Sequence, residues 1–239
     1  MLGLALISGA EYPGSDRNSL KARPVAAYQW GRFRISTSRA GIGGDVAAEV
    51  AGPGATAELL RNDRWRVGAG LRVDSGRRSS ASLRLAGLPD IERTVRGRVY
   101  AGYTWSRHWQ AGAYVSHDLL GKKGGALAGL DLAYRQPFGE RSEWSVGAGL
   151  QAADGLYMRS YFGITDAQSA RTGIAAYRPG AGLRSAAVGV NLSTGLNAHW
   201  VAFASASLAR LLGPAAASPL SASATSTSVS VGLLYRCCK

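Results

Sequence analysis

No apolar run in the 239 residues approaches the roughly 18 to 20 that a membrane-spanning helix needs, so a helical membrane protein is excluded. Cysteine is almost missing. Cys237 and Cys238 are the only two and are adjacent, poorly placed to bridge each other and too few for a metal site. Charged residues are 18% of the chain, acidic ones number only 15, and lysine is nearly replaced by arginine, at 4 against 24. The three histidines, His108, His117 and His199, come with no serine-nucleophile motif or orienting carboxylate at recognisable spacing, which argues against a hydrolase. Neither a Walker-type nor a dinucleotide-type glycine motif occurs, so the sequence calls for no cofactor.

What is present is alternation. In Glu143-Trp144-Ser145-Val146-Gly147-Ala148-Gly149-Leu150, strand geometry puts Trp144, Val146, Ala148 and Leu150 on one side and Ser145, Gly147 and Gly149 on the other. The pattern recurs from Trp65, from Trp109 and, more loosely, from Trp200. Its spacing is irregular, which fits a reused hairpin rather than a solenoid. The remaining tryptophans, Trp30 and Trp105, end strand-like runs just before short turns. A soluble all-β sandwich has no reason to place its indoles at one level, whereas a membrane barrel gathers amphipathic rings at the bilayer interface. Trp30, Trp65, Trp105, Trp109, Trp144 and Trp200 are therefore the expected girdle of a transmembrane β-barrel.

Twelve strands are expected, roughly Leu2–Ala10, Arg23–Trp30, Phe33–Thr37, Ala55–Arg61, Trp65–Asp74, Val95–Trp105, a seventh through His108–Val115 with His117 at its top, Leu127–Arg135, Trp144–Ala152, Arg184–Ser193, Trp200–Leu208 and a last one through Val229–Tyr235. An even count, with short and long connections in turn, predicts a closed all-β antiparallel barrel forming a single domain over 1–239. The short turns are then periplasmic and the long loops external. On the eleventh strand Val201 and Phe203 fall in the phase expected to be polar. Met1–Ile7 reads as a strand without a basic leader region; since such a barrel requires export, the natural protein is expected to carry a leader that this chain lacks.

The net charge of +13 suggests an anionic partner, yet no nucleic-acid-binding motif accompanies it. Instead the arginines occupy the polar phase of strands and the long loops. Arg32, Arg34, Arg66, Arg72, Arg96, Arg98 and Arg135 are expected to line the lumen, paired with Asp74, Asp118 and Asp131. An arginine facing lipid near mid-membrane would cost about 2 to 4 kcal/mol. Arg17, Arg39, Arg77, Arg78, Arg84, Arg159, Arg171 and Arg178, with Lys122 and Lys123, lie in loops, where they suit lipopolysaccharide phosphates.

The longest connection, Asp154 to Gly182, exceeds the usual span of a structureless loop. Thr165-Asp166-Ala167-Gln168 has the form of a capping box, with Gly173 as a stop, and predicts one short helix. Tyr157, Tyr161, Phe162 and Tyr177 give this loop the aromatic area to pack into the barrel mouth as a constriction; the alternative is a loop that packs only on itself.

Several segments resemble the MipA/OmpV outer-membrane proteins: the turn Tyr12-Pro13-Gly14-Ser15-Asp16 after Glu11, the run Tyr157 to Thr165 with Gln168-Ser169-Ala170, Ala176-Tyr177 with Gly180 to Leu183, and Arg210-Leu211-Leu212-Gly213 with Ser218-Pro219. They follow the family order over nearly the whole chain. The resemblance implies a barrel in the bacterial outer membrane and, for its best-known members, a scaffold that holds a murein hydrolase near a murein synthase. Other members are linked to adhesion or antibiotic susceptibility. The sequence departs from the pattern in Gly213-Pro214-Ala215-Ala216-Ala217, where acidic residues are usual, and in the ending Tyr235-Arg236-Cys237-Cys238-Lys239 in place of a terminal aromatic.

Two functions compete. A scaffold needs a periplasmic surface, to which the turn residues Arg61, Arg64, Arg107 and Arg141 would contribute charge. A pore lined by arginine would prefer anions, because rings of charged side chains set selectivity; a surface adhesin is the remaining variant.

Overall fold

The computed structural model describes residues 1–37 and 53–237. Arg39, most of the Gly41–Gly54 loop, Cys238 and Lys239 lie outside them. Twelve strands close an antiparallel barrel in which each pairs with its sequence neighbours and β1 closes on β12. They are β1 (Leu2–Ala10), β2 (Asn18–Trp30), β3 (Phe33–Ser36), β4 (Gly54–Arg61), β5 (Trp65–Asp74), β6 (Thr94–Thr104), β7 (Trp109–Asp118), β8 (Ala126–Phe138), β9 (Ser142–Ala153), β10 (Gly182–Gly195), β11 (Trp200–Leu211) and β12 (Thr225–Tyr235). At the seam Leu2 stands opposite both Tyr235 and Ala26, so β1 is paired along both edges. Closure satisfies the backbone groups that an open edge would present to lipid.

Residue parity sorts the side chains as the alternation demands. Leu2, Leu4 and Leu6 on β1, Val99 on β6, Val115 on β7, Leu130 and Leu132 on β8 and Val188, Val190 and Leu192 on β10 are all exposed on the outer wall. No helix among the described residues is long and apolar enough to cross a membrane. In lipid that outer wall has a matching solvent, whereas in water it would be an uncovered apolar surface.

Several strands, among them β2, β8, β10 and β11, are longer than their alternation suggested, while β3 is shorter. β2 begins at Asn18, which brings Lys21 and Arg23 into the lumen-facing phase set by buried Val25. Strand β11 resolves the phase conflict by turning Val201 and Phe203 inward. Val201 is buried against Ala5, Val25 and Leu234, with Phe203 and Ile7 beside them, so this sector of the interior is apolar. Phe203 lies over Gly232, where an added Cβ would come within 2.4 Å of its ring. The outer face of β11 carries Ala202, Ala204 and Ala206, and residues so small leave its hydropathy pattern without a clear direction.

The long connections carry short helices. The Asp154–Gly182 segment forms two where one was expected: α1 (Gly155–Phe162), capped by the Asp154 side chain accepting from Tyr157 N at 2.7 Å, and α2 (Asp166–Thr172). The capping box at Thr165 and Gln168 is formed, and Gly173 ends α2 in the left-handed conformation at φ 70°. α3 (Gly213–Ala216) starts with proline in its first turn.

Candidate functional site

The barrel has two unlike ends joined by a charged interior. At the long-loop end, four connections pack together over the mouth. Tyr12 of the β1–β2 loop, Leu85 and Leu88 of the β5–β6 loop, Ile164 of the β9–β10 loop and Leu220 of the β11–β12 loop form one buried apolar cluster. Below it, Tyr157, Met158, Tyr161 and Phe162 of α1 pack with Ala215 of α3 against Leu127, Ala153 and Leu211 of the wall. The spacing of the four α1 residues marks one helical face, which Asp154 as an N-cap could have signalled in the sequence.

Polar contacts fix this lid. Tyr12 Oη donates to Leu220 O at 3.2 Å, Ser218 Oγ to Phe162 O at 2.6 Å, Tyr177 Oη to Pro214 O at 2.8 Å, and Arg77 Nη1 to Tyr161 O at 2.6 Å. Gly14 adopts φ 98° with its Cα side against Ser221, where a Cβ would stand 2.9 Å from the Ser221 Cα. The segments that carry the family resemblance, far apart in sequence, thus meet here. Ser15 is buried in the turn and Asp16 is exposed, while Pro13 is also exposed. Gln168 and Ser169 serve α2 locally, through the capping box and the Gly173 N to Ser169 O bond, and do not join the aromatic cluster.

Directly under α1, Tyr161 Oη donates to Asp74 Oδ2 at 3.1 Å, and Arg96 Nη1 lies 3.7 Å from the same oxygen. Burial, with Tyr157 and Asp74 adding to it, pushes the Tyr161 hydroxyl well above the ordinary tyrosine range, so it stays a donor. Arg96 is 1% exposed and also donates to Gly124 O at 2.8 Å and Gly125 O at 3.0 Å. Among the described residues Asp118 has no arginine partner. Its carboxylate accepts from Thr94 Oγ1, from Leu120 N at 3.0 Å and from Gly124 N at 2.8 Å, which shapes the β7–β8 loop.

Deeper in the lumen the guanidinium of Arg98 stacks on the Tyr114 ring at 4.0 Å. Gln151 donates to Tyr114 Oη at 2.8 Å and accepts from Arg184 Nη1, and Arg184 sits 5.4 Å from the Tyr157 ring. Arg184 is buried, and its place at the bulge of β10 gave no periodic sign of that. Arg34, Arg66, Arg72 and Asp131 keep the inward phase of their strands, and Arg135 pairs with Glu143 at 3.3 Å, a partner the sequence reading did not name. Arg32 is corrected: it occupies the exposed two-residue turn between β2 and β3, because Phe33 already starts the return strand.

At the short-turn end the indoles follow one another around the outer wall. Trp65, Tyr103, Trp105, Trp109, Tyr134 and Trp144 make successive ring contacts with centroids 4.7, 6.5, 6.0, 5.1 and 5.6 Å apart. Trp200 meets Tyr235 at 5.1 Å beside the seam, and Trp30 meets Phe33 at 6.3 Å. Three turns share one device. Asn62 Oδ1 accepts from Arg64 N and Trp65 N, Ser106 Oγ from His108 N and Trp109 N, and Asn197 Oδ1 from His199 N and Trp200 N. Each side chain mimics a turn of backbone and sets tryptophan as the first residue of the next strand. The signature Asn or Ser, any residue, Arg or His, then Trp is the sequence sign of this turn.

Inside this ring of turns lies a polar cavity of about 290 Å³, lined by Arg61, Arg64, Arg66, Arg107, Arg135 and His108 together with Asp63. His108 stacks on Tyr134 at 5.6 Å and its Nδ1 lies 2.9 Å from Arg135 O, contacts that hold a ring in place and supply no nucleophile. Among the described residues no group of His, Cys, Asp and Glu side chains could hold a metal ion.

Comparison with solved structures places the fold among outer-membrane porin barrels. The chain is similar to the NanC porin at 10% identity and TM-score 0.50, covering 98% of this chain and 100% of that one. It is also similar to the KdgM porin at 9% identity and TM-score 0.48, covering 99% of each. At such identities the likeness concerns fold alone. No curated protein sequence matches it. The family model described as MltA-interacting protein MipA matches residues 2–237, and the chain belongs to that family.

Proposed function

We propose that this protein is a non-enzymatic barrel of the bacterial outer membrane that holds a periplasmic murein enzyme at its short-turn end. The family description names MltA as a partner. The observation that carries the reading is the contrast between the ends: the long-loop mouth is packed over by α1, α3 and four loops, while the short-turn end presents a concave basic cavity. Short turns offer little flat surface, but a cavity ringed by arginines can receive acidic side chains bidentately. The apolar outer wall suits lipid and the indole belt the bilayer interface at the short-turn end, and loop residues such as Arg84, Arg178 and Lys123 suit lipopolysaccharide phosphates. Retention of murein hydrolase and synthase from envelope extract on the immobilised, detergent-folded barrel tests this. The wild type should retain them and the paired Arg64→Glu, Arg107→Glu variant should not; failure of the wild type to retain either enzyme would overturn the scaffold.

The inward-facing basic residues favour a second reading, an anion-preferring pore, with surface adhesion by the external lid as a further variant. Planar-bilayer recording decides between pore and scaffold. A steady anion-selective conductance from the wild type would support the pore.

A further inference from the structure

We infer that the lumen holds a binding site for a small organic carboxylate, built around Arg98 and Arg184 and independent of any partner at the short-turn end. Arg98 has its guanidinium face against Tyr114 at 4.0 Å and its Nε buried without an acceptor, and no carboxylate pairs with it among the described residues. Stacking covers a face and leaves the edge, with its parallel N–H donors, free for bidentate recognition in the ring plane. Arg184 is 9% exposed, its Nε likewise lacks an acceptor, and its one hydrogen bond goes to the neutral Gln151. Two guanidinium groups therefore stand in a protein-lined interior with aromatic and amide neighbours and no counter-charge of their own. Burying unbalanced cations is costly, and a bound anion relieves that cost.

Two tyrosine rings and an amide surround these groups, and glycines on the wall fix how the rings lie. Tyr114 lies against Gly129, where a Cβ would sit 2.3 Å from Tyr114 Cε1, and Tyr100 lies against Gly68, where one would sit 2.4 Å from Tyr100 Oη. These glycines let both rings recline on the wall, so that Tyr114 offers a flat floor under Arg98. Gln151 joins the two halves by donating to Tyr114 Oη at 2.8 Å and accepting from Arg184. Aromatic faces beside an arginine fork suit a carboxylate attached to a compact body with C–H faces, such as a sugar acid. The strands that carry Arg98 and Tyr114, β6 and β7, also border the basic cavity at the short-turn end.

Isothermal titration of the detergent-folded full chain with D-glucuronate tests the site, with D-glucose as the neutral control and inorganic phosphate as a competing anion. Saturable binding of glucuronate is expected, with none of glucose, and phosphate should displace it only weakly. Arg98→Gln and Arg184→Gln should each weaken binding about tenfold or more, while Arg34→Gln, three strands away on β3, should leave it within about twofold. Tyr114→Phe, which keeps the ring and loses the Gln151 contact, should weaken it less than Arg98→Gln. No binding by the wild type, equal binding of glucose, or unchanged binding in a heat-modifiable, folded Arg98→Gln barrel would overturn the inference. None of these outcomes bears on enzyme retention, so the scaffold reading fails or survives separately.

Discussion

Tyr161 Oη donates to Asp74 Oδ2 at 3.1 Å, joining a helix of the longest loop to the end of a strand 87 residues earlier. The same carboxylate faces Arg96 and accepts from Gly76 N at 2.9 Å, so one group ties lid, wall and loop together. A donor to an ionised acceptor is worth about 1.5 to 3 kcal/mol, and Tyr161→Phe removes it while keeping the ring. Limited proteolysis of the folded barrel should cut within residues 155–181 several-fold faster in that variant, with the strands still protected.

The β1–β2 turn should be sensitive too, because it packs on the β11–β12 loop. Gly14 combines φ 98° with a position where an added Cβ would stand 2.9 Å from the Ser221 Cα, and Gly14→Ala adds strain of about 1 to 3 kcal/mol there. Hydrogen exchange should rise at 11–16 and 218–223 together, since the two segments are also joined by Ser223 N donating to Gly14 O at 3.1 Å.

Wall polarity is testable by one substitution on each face of β6. Val99 points outward at mid-strand, and Val99→Arg should destabilise the barrel in lipid vesicles by about 2 to 4 kcal/mol in urea titration. Arg98→Gln next to it, facing inward, should cost far less.

The indole belt predicts a depth. Lipids brominated near the headgroup should quench the tryptophan fluorescence more strongly than lipids brominated near the chain ends, because all six indoles stand at the turn end of their strands. Equal quenching at both depths would remove the interfacial role.

Glu92 and Lys122 connect the β5–β6 and β7–β8 loops at 2.7 Å. The hydrogen bond from Lys122 holds the Glu92 carboxyl below its ordinary range, and the same bond raises Lys122. A lowered carboxyl contributes fully above its unfolded value and loses that contribution as pH falls through the lowered one. Exchange in residues 119–125 should therefore quicken on acidification below the ordinary glutamate range and stay level around neutrality.

Alternation made the barrel legible. Trp144, Val146, Ala148 and Leu150 share a face in any strand, and short turns between tryptophans give the count and the orientation, since strand period is local geometry. The same locality hid the rest. Val201 and Phe203 could not be assigned a side while both faces of β11 were weakly apolar, and Arg32, polar and one residue before Phe33, has the phase of the wall although it belongs to the turn.

What the sequence alone determined was a closed wall of twelve strands with an apolar exterior, a basic interior and one capping-box helix, because each depends on neighbours within a few residues. Only the tertiary structure decided that Tyr12, Leu85, Ile164 and Leu220 form one lid, that Arg96 has Asp74 while Arg98 and Arg184 have no carboxylate among the described residues, and that Arg135 takes Glu143. Those pairings join residues on different strands and loops. Closure of the barrel, rather than spacing along the chain, brings them within reach.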